Sequence, residues 1–175
     1  MIPTIVSVVD KHESGRLRQF VVAVMYGTNS FFVRSITSTD TDDSEREILR
    51  NYTQMFKNGY RVSGWEIRKI FTQTVVRRCF GLGVQFPWYY QDNGPRYRYH
   101  NKHILDLRDV FTEYGTHSSE TKSIDDAMKV SFPGESKFEG TLERCLASVL
   151  LTLRCDFVTG NIDSSMYNTN IDLYR

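Results

Sequence analysis

The stretch that decides the fold is residues 4–36, TIVSVVDKHESGRLRQFVVAVMYGTNSFFVRSI. It holds three runs rich in β-branched and aromatic residues, separated by two polar segments that each contain a glycine and are typical of hairpin turns. Consecutive strands joined by such turns form an antiparallel meander. The predicted strands are Thr4–Val9, Leu17–Tyr26 and Phe31–Ile36.

Working outward from the meander, the rest of the chain alternates a few short strands with helices. Ser44 followed by Glu45 is a good helix start, because acidic residues there oppose the positive end of the helix dipole. The order β-β-β-α-β-α, followed by a helix-rich half, predicts an α/β fold with a mixed sheet and helices on its faces. The later predicted elements are a strand at Tyr60–Ser63, a helix at Ile67–Phe80, a strand or helix start at His103–Leu107, and helices at Ser123–Val130 and Thr141–Phe157.

The composition is that of one folded domain. The 175 residues are 40% hydrophobic and 25% charged, with a formal net charge of +1, which argues against disorder and against a uniformly basic nucleic-acid-binding surface. The apolar runs are too short to cross a bilayer. We expect no membrane partner, a domain over residues 1–160, and a polar, loosely packed tail over residues 161–175.

The cysteines and histidines carry no recognisable site. Cys79, Cys145 and Cys155 form neither an even disulfide set nor a CxxC metal clip, so three free thiols and an intracellular location, cytoplasmic or nuclear, are predicted. The four histidines lack the spacing of zinc ligands.

Four segments carry a family resemblance when taken in order. They resemble the ribonuclease H-like domain of DEDD-type (DnaQ-like) 3'-5' exonucleases, in the branch related to the proofreading domain of family B polymerases. The resemblance implies a ribonuclease H-like fold over about Thr4–Gly160. The segments are Glu45–Phe56, Arg61–Ile67, Tyr99–Gly115 and Ser123–Val130 with the following Pro133-Gly134.

The resemblance implies four carboxylates that hold two Mg²⁺ or Mn²⁺ ions, and this sequence departs from that pattern. Where the family has Asp-x-Glu, the chain has Asp10-Lys11-His12-Glu13, and Glu66 replaces the second aspartate. The final helix has Ser148 or Arg144 where an aspartate is expected. The remnant candidates are Asp10, Glu66, Glu143 and Asp106.

Three of the four remnant candidates also have a structural interpretation. Asp10 fits a hairpin turn, Glu66 fits a helix N-terminus, and Asp106 fits a helix cap or ion pair. With so few acids, the pattern predicts a catalytically silent domain that needs no cofactor; Mg²⁺ or Mn²⁺ applies only if the domain is active.

The range Arg61–Arg108 is locally basic, with nine Lys or Arg against three acids, a balance of +6. Cations interleaved with aromatic rings suit single-stranded DNA or RNA, because phosphates pair with charge and bases stack on rings. Alternatively, the aromatic residues pack in the core or form a protein-docking surface. The candidate binding residues are Arg77, Arg78, Trp88, Arg96, Arg98 and Lys102.

These observations lead to three functional hypotheses. The first is a silent exonuclease-like module that binds nucleic acid or a protein partner in replication or RNA processing. The second is an active metal-dependent 3'-5' exonuclease with an altered carboxylate set. The third is a protein scaffold that does not bind nucleic acid.

Overall fold

A five-stranded mixed sheet forms the centre of the computed structural model, which describes residues 2–25, 31–56, 59–86, 103–114, 123–134 and 139–174. The strand order is β3-β2-β1-β4-β5. The first three strands pair antiparallel, whereas β4 and β5 are added parallel to β1. The predicted meander and mixed sheet are therefore confirmed. The strands are β1 Thr4–Lys11, β2 Leu17–Met25, β3 Phe31–Thr37, β4 Arg61–Gly64 and β5 Ile104–Asp106.

The helices follow the order expected from the sequence, with one addition at the C-terminus. Helix α1 begins after Thr41 rather than at Ser44, because the Thr41 hydroxyl accepts the Ser44 N–H at 3.2 Å. A π-helical segment, Phe71–Val76, joins α2 to α3. The helices are α1 Asp42–Gln54, α2 Ile67–Ile70, α3 Arg77–Leu82, α4 Leu107–Tyr114, α5 Ile124–Ser131, α6 Thr141–Val158 and α7 Ser164–Tyr174.

The two faces of the sheet carry separate cores, because alternate residues of a strand point to opposite faces. On one face, α6 packs against β1 and β2 around Val6 and Val21. On the other, α1 and the α2–α3 segment pack around Ile5, Val22 and the fully buried Tyr52. The sheet thus separates an α6 face from an α1–α3 face.

The C-terminal segment is a packed helix, and the expectation of a loose tail is wrong. Tyr167 and Ile171, four residues apart on one side of α7, are both buried against α6. The Tyr167 ring also stacks on Phe157 at a centroid distance of 4.7 Å. Together with Ile162, which belongs to the same core cluster, and Met166, which packs against it, these side chains pack the C-terminal segment against α6.

The three cysteines are free and buried, which confirms the predicted free thiols. Burial raises the pKa of Cys79 to about 11 and that of Cys145 and Cys155 to about 12, so none is a thiolate near neutral pH. None of the helices in the described ranges is both long and apolar enough to pass through a membrane.

Candidate functional site

Asp10 lies near the end of β1, where an irregularity between Asp10 and Lys11 shifts the register of the pairing with β2. Its carboxylate accepts the Lys11 N–H at 2.9 Å and forms an ion pair with Arg18 across the hairpin. The carboxylate therefore stabilises the end of the hairpin, and its charge is opposed by an arginine.

Glu66 follows β4 in a left-handed backbone conformation, with φ 55° and ψ 31°, which non-glycine residues seldom adopt. The strand before it lies close to β1, since a Cβ atom added at Gly64 would be 2.7 Å from the Ser7 carbonyl oxygen. The Glu66 carboxylate lies 3.2 Å from an Arg108 guanidinium nitrogen and 3.9 Å from Lys69 Nζ. Two cations thus surround it.

Asp106 ends β5 and is buried. It accepts the backbone N–H groups of Arg68 and Arg108, each at 3.1 Å, and of Asp109 at 3.4 Å. Burial raises its pKa to about 6 in spite of these hydrogen bonds. The side chain caps α4 and connects it to α2, which matches the structural interpretation of this residue.

Glu143 lies exposed in the first turn of α6, and its carboxylate covers Gly140 so closely that an added Cβ atom would collide with it. The neighbouring positions supply no further carboxylate. Ser148 donates its hydroxyl proton to the Arg144 carbonyl at 2.8 Å. The Arg144 Nε is buried, with no acceptor in hydrogen-bond range among the described residues.

The four remnant candidates do not form a metal-binding cluster within the part of the chain that the structure describes. There, no three His, Cys, Asp or Glu side chains come together as possible ligands. Asp10 and Glu66 face arginines, and Asp106 faces backbone N–H groups. A pair of divalent cations needs several converging oxygen ligands, so this donor set does not fit such a pair.

Of the predicted nucleic-acid-binding residues, two can be placed. Arg77 is exposed on α3. The Arg78 guanidinium is bound instead to the buried Glu45, with Nε 2.7 Å from Oε1. Trp88, Arg96, Arg98 and Lys102 lie outside the described residues.

A groove that the sequence did not predict lies between the C-terminal half of α1 and the chain leaving α3; we call it the α1–α3 groove. Its wider part has a volume of about 770 Å³ and its narrower part about 320 Å³, and both are lined by residues 83–86. Phe80 lines the narrow part with 84% of its surface exposed. The wide part is also lined by Arg50, Thr53 and Gln54, and the narrow part by Val76 and Cys79.

One feature of the sequence, the spacing of Arg77 and Phe80, indicates part of this groove. Phe80 follows Arg77 by three residues in a predicted helix, so the ring and the cation had to lie on neighbouring positions of one helix surface. Arg50 carried no such signal, because its proximity to residues 83–86 depends on tertiary packing.

Comparison with known proteins identifies related sequences and folds. Residues 11–147 match a family of predicted 3'-5' exonucleases related to the exonuclease domain of PolB. No curated protein sequence matches the chain.

Two solved structures share the fold. The Escherichia coli exonuclease I complex with a dT13 oligonucleotide has a TM-score of 0.63 at 10% identity, over 89% of this chain and 41% of that one. A second exonuclease I structure gives 0.59 at 8% identity, over 96% of this chain and 43% of that one. The chain therefore spans less than half the length of either, and at such identities the likeness shows the fold alone.

Proposed function

The chain belongs to the family of predicted 3'-5' exonucleases related to the exonuclease domain of PolB, and on that premise we propose that it binds single-stranded nucleic acid without cleaving it. The observation that carries the proposal is the environment of Glu66. The carboxylate that takes the place of the family's second aspartate is held by Arg108 at 3.2 Å and faces Lys69 at 3.9 Å.

Arginine and lysine at Glu66 oppose metal-dependent hydrolysis in two ways. Their positive charges repel an incoming divalent cation, and the Arg108 contact occupies a carboxylate oxygen that a metal would need. Asp10 is likewise paired with Arg18. A bound Mg²⁺ pair would supply an activated water and stabilise the leaving oxygen, but these side chains are arranged to pair with cations of the protein itself.

The proposed ligand is single-stranded DNA or RNA, bound through the basic, aromatic range Arg61–Arg108. Arg77 is exposed on α3 and available to a phosphate. Exonuclease I, whose fold the chain shares, has been solved with a dT13 oligonucleotide. We propose Arg77, Arg78, Trp88, Arg96, Arg98 and Lys102 as the binding set, with Arg78 contributing mainly through the position of α3. We also propose a role in replication or RNA processing, and the three free cysteines support a reducing compartment such as the cytoplasm or nucleus.

The test measures turnover and binding on the same labelled single strands. With Mg²⁺ or Mn²⁺, we expect no shortening of either DNA or RNA. Binding is expected at low salt and should weaken steeply as salt rises, because phosphate contacts release counterions. The test variant is Glu66→Gln, and its matched control is Glu113→Gln, which removes an exposed carboxylate of α4. Metal-dependent digestion that Glu66→Gln abolishes and Glu113→Gln preserves would restore the enzyme hypothesis.

A further inference from the structure

We propose that the α1–α3 groove holds one nucleotide of a bound single strand, with its base in the narrow part against Phe80 and its phosphate beside Arg50. This inference rests on the proposed function, because it assigns a specific subsite to nucleic-acid binding. The groove lies on the α1–α3 face of the sheet and includes none of the remnant carboxylates.

The narrow part is suited to a flat, largely apolar group. It is lined by Val76, Cys79 and Val84 as well as by Phe86, and its volume of about 320 Å³ lies within the range of small-ligand pockets. The Phe80 ring is 84% exposed at this pocket. An exposed phenyl ring beside an apolar pocket offers a stacking surface to any nucleobase.

The wide part supplies polar groups of the kind that a nucleotide needs. The side chain of Arg50 is exposed, and no acidic residue is among the described residues that line the groove. Gln54 and Gln85 each offer an amide donor and acceptor to the edge of a base. Glu47, one turn earlier on α1, is exposed but does not line the groove, and the positive charge of Arg50 among lining residues without an acid favours an anionic ligand, here a phosphodiester.

Arg77 supplies a second exposed cation next to Phe80, and we place it on the path of the bound nucleic acid. It lies three residues before Phe80 on α3, so the two residues are neighbours on the helix surface. A cation next to a stacking ring is the combination by which proteins bind single strands without reading sequence. A protein ligand would use Phe80 as well, but two exposed arginines, Arg50 in the groove and Arg77 beside Phe80 on α3, favour the polyanion.

The experiment compares Phe80→Leu and Arg50→Gln with matched changes on β3. Phe32, 44% exposed, and the exposed Arg34 provide the controls Phe32→Leu and Arg34→Gln. Fluorescence anisotropy of a labelled dT15 strand is measured from 50 to 200 mM salt, with melting temperatures to confirm folding. A dT15 strand carrying one 5-iodouracil is used for photocrosslinking, and the linked residue is identified by mass spectrometry.

We expect Phe80→Leu to weaken binding by roughly 5- to 150-fold with an unchanged salt slope, since stacking contributes about 1–3 kcal/mol for each base. Arg50→Gln should flatten the slope of log affinity against log salt by about 0.7, the loss of one phosphate contact on a single strand. The controls should bind like the wild type, and the crosslink should map to Phe80.

Failure of this subsite can be distinguished from failure of the proposed function. If the wild type binds dT15 and all four variants bind equally well, the groove proposal is wrong and the proposed function stands. If the wild type does not bind dT15, thymidine monophosphate is titrated and followed by NMR of the phenylalanine rings. A shift of the Phe86 ring, which lines the same groove, that Phe80→Leu reduces then supports the groove without the proposed function, and no shift overturns both.

Discussion

The α6 face and the α1–α3 groove use arginine in opposite ways. On the α6 face, Arg61 makes two hydrogen bonds of 2.8 Å to Asp156, and both residues are buried. In the groove, Arg50 is exposed and the lining residues include no acid among those described. The fold thus gives the buried Arg61 a counter-ion of its own, whereas the exposed Arg50 is left available to a ligand.

The inner pairs also set how α6 lies on the sheet. Arg61 and Ser63 are two residues apart on β4, a distance of about 6.6 Å along a strand. Their partners Asp156 and Thr152 are four residues apart on α6, about 6 Å along a helix. Because the order is reversed, the helix runs antiparallel to β4. The match of spacings lets an ion pair and a 2.7 Å hydroxyl contact form together.

The largest expected effect comes from breaking the inner ion pair. Asp156→Ala leaves the Arg61 guanidinium buried without its counter-ion, and we expect the free energy of unfolding to fall by about 3–5 kcal/mol. Urea unfolding of the two proteins at pH 7 measures this difference.

The double variant Arg61→Met with Asp156→Leu provides the control for that change. Replacing both charges by apolar side chains removes the uncompensated charge, so its stability should return to within about 1 kcal/mol of the wild type. A double variant as unstable as Asp156→Ala would mean that packing, rather than charge, accounts for the loss.

The second-largest expected effect is a pH-dependent change in stability caused by Asp106, a buried acid that accepts hydrogen bonds from backbone N–H groups. Burial raises its pKa from 3.8 to about 6. Between about pH 4 and pH 6, the folded protein therefore keeps a proton that the unfolded chain has released. The free energy of unfolding should fall as the pH rises through this interval, by up to about 3 kcal/mol for two pKa units.

Carbon-13 NMR of the Asp106 carboxyl group and urea unfolding from pH 4 to pH 7 measure these two quantities. Asp106→Asn removes the titration at the cost of one hydrogen bond, so the stability difference between wild type and variant should change only over that interval. An Asp106 midpoint near 4 would show that the N–H groups fully offset the effect of burial on its pKa, and the expected loss of stability would be absent.

Much of the fold could be predicted from local sequence because its elements have strong patterns. The meander could be predicted from β-rich runs and turn residues alone, and α6 from the long apolar side of its helical pattern. Helix α7 was missed because, in a mainly polar segment, its packing depends on Tyr167 and Ile171 reaching α6. Whether such a segment forms a packed helix depends on its contacts with another element, and these contacts cannot be inferred from local composition.

For the candidate site, the sequence identified individual residues but not the partners that they contact in the fold. The strand expected at Tyr60–Ser63 is β4, and Glu66 follows it, but its partner Arg108 comes 42 residues later and meets it through the pairing of β4 with β5. In the same way, the sequence shows Arg78 as one more cation beside Arg77. Its partner Glu45 lies 33 residues earlier on α1.

The smallest expected effects on stability come from two adjacent arginines, Arg77 and Arg78, which allow a paired arginine to be compared with an exposed one. Glu45 is fully buried and accepts the Leu17 N–H at 2.6 Å and the Arg78 Nε at 2.7 Å, so it joins the starts of α1 and β2 to α3. Arg78→Gln removes the charge that compensates this carboxylate and should lower the free energy of unfolding by about 1–3 kcal/mol.

Arg77→Gln changes the same charge one residue away and should leave stability within about 0.5 kcal/mol of the wild type. Arg77→Gln should instead change ligand binding: the slope of log affinity for single-stranded DNA against log salt should flatten by about 0.7. Urea unfolding and anisotropy on the two variants therefore separate an inner arginine from an outer one of equal charge. The opposite result, in which Arg77→Gln destabilises the fold and Arg78→Gln does not, would contradict this distinction. Arg77 would then be the arginine that stabilises the fold, and Arg78 the one available to a ligand.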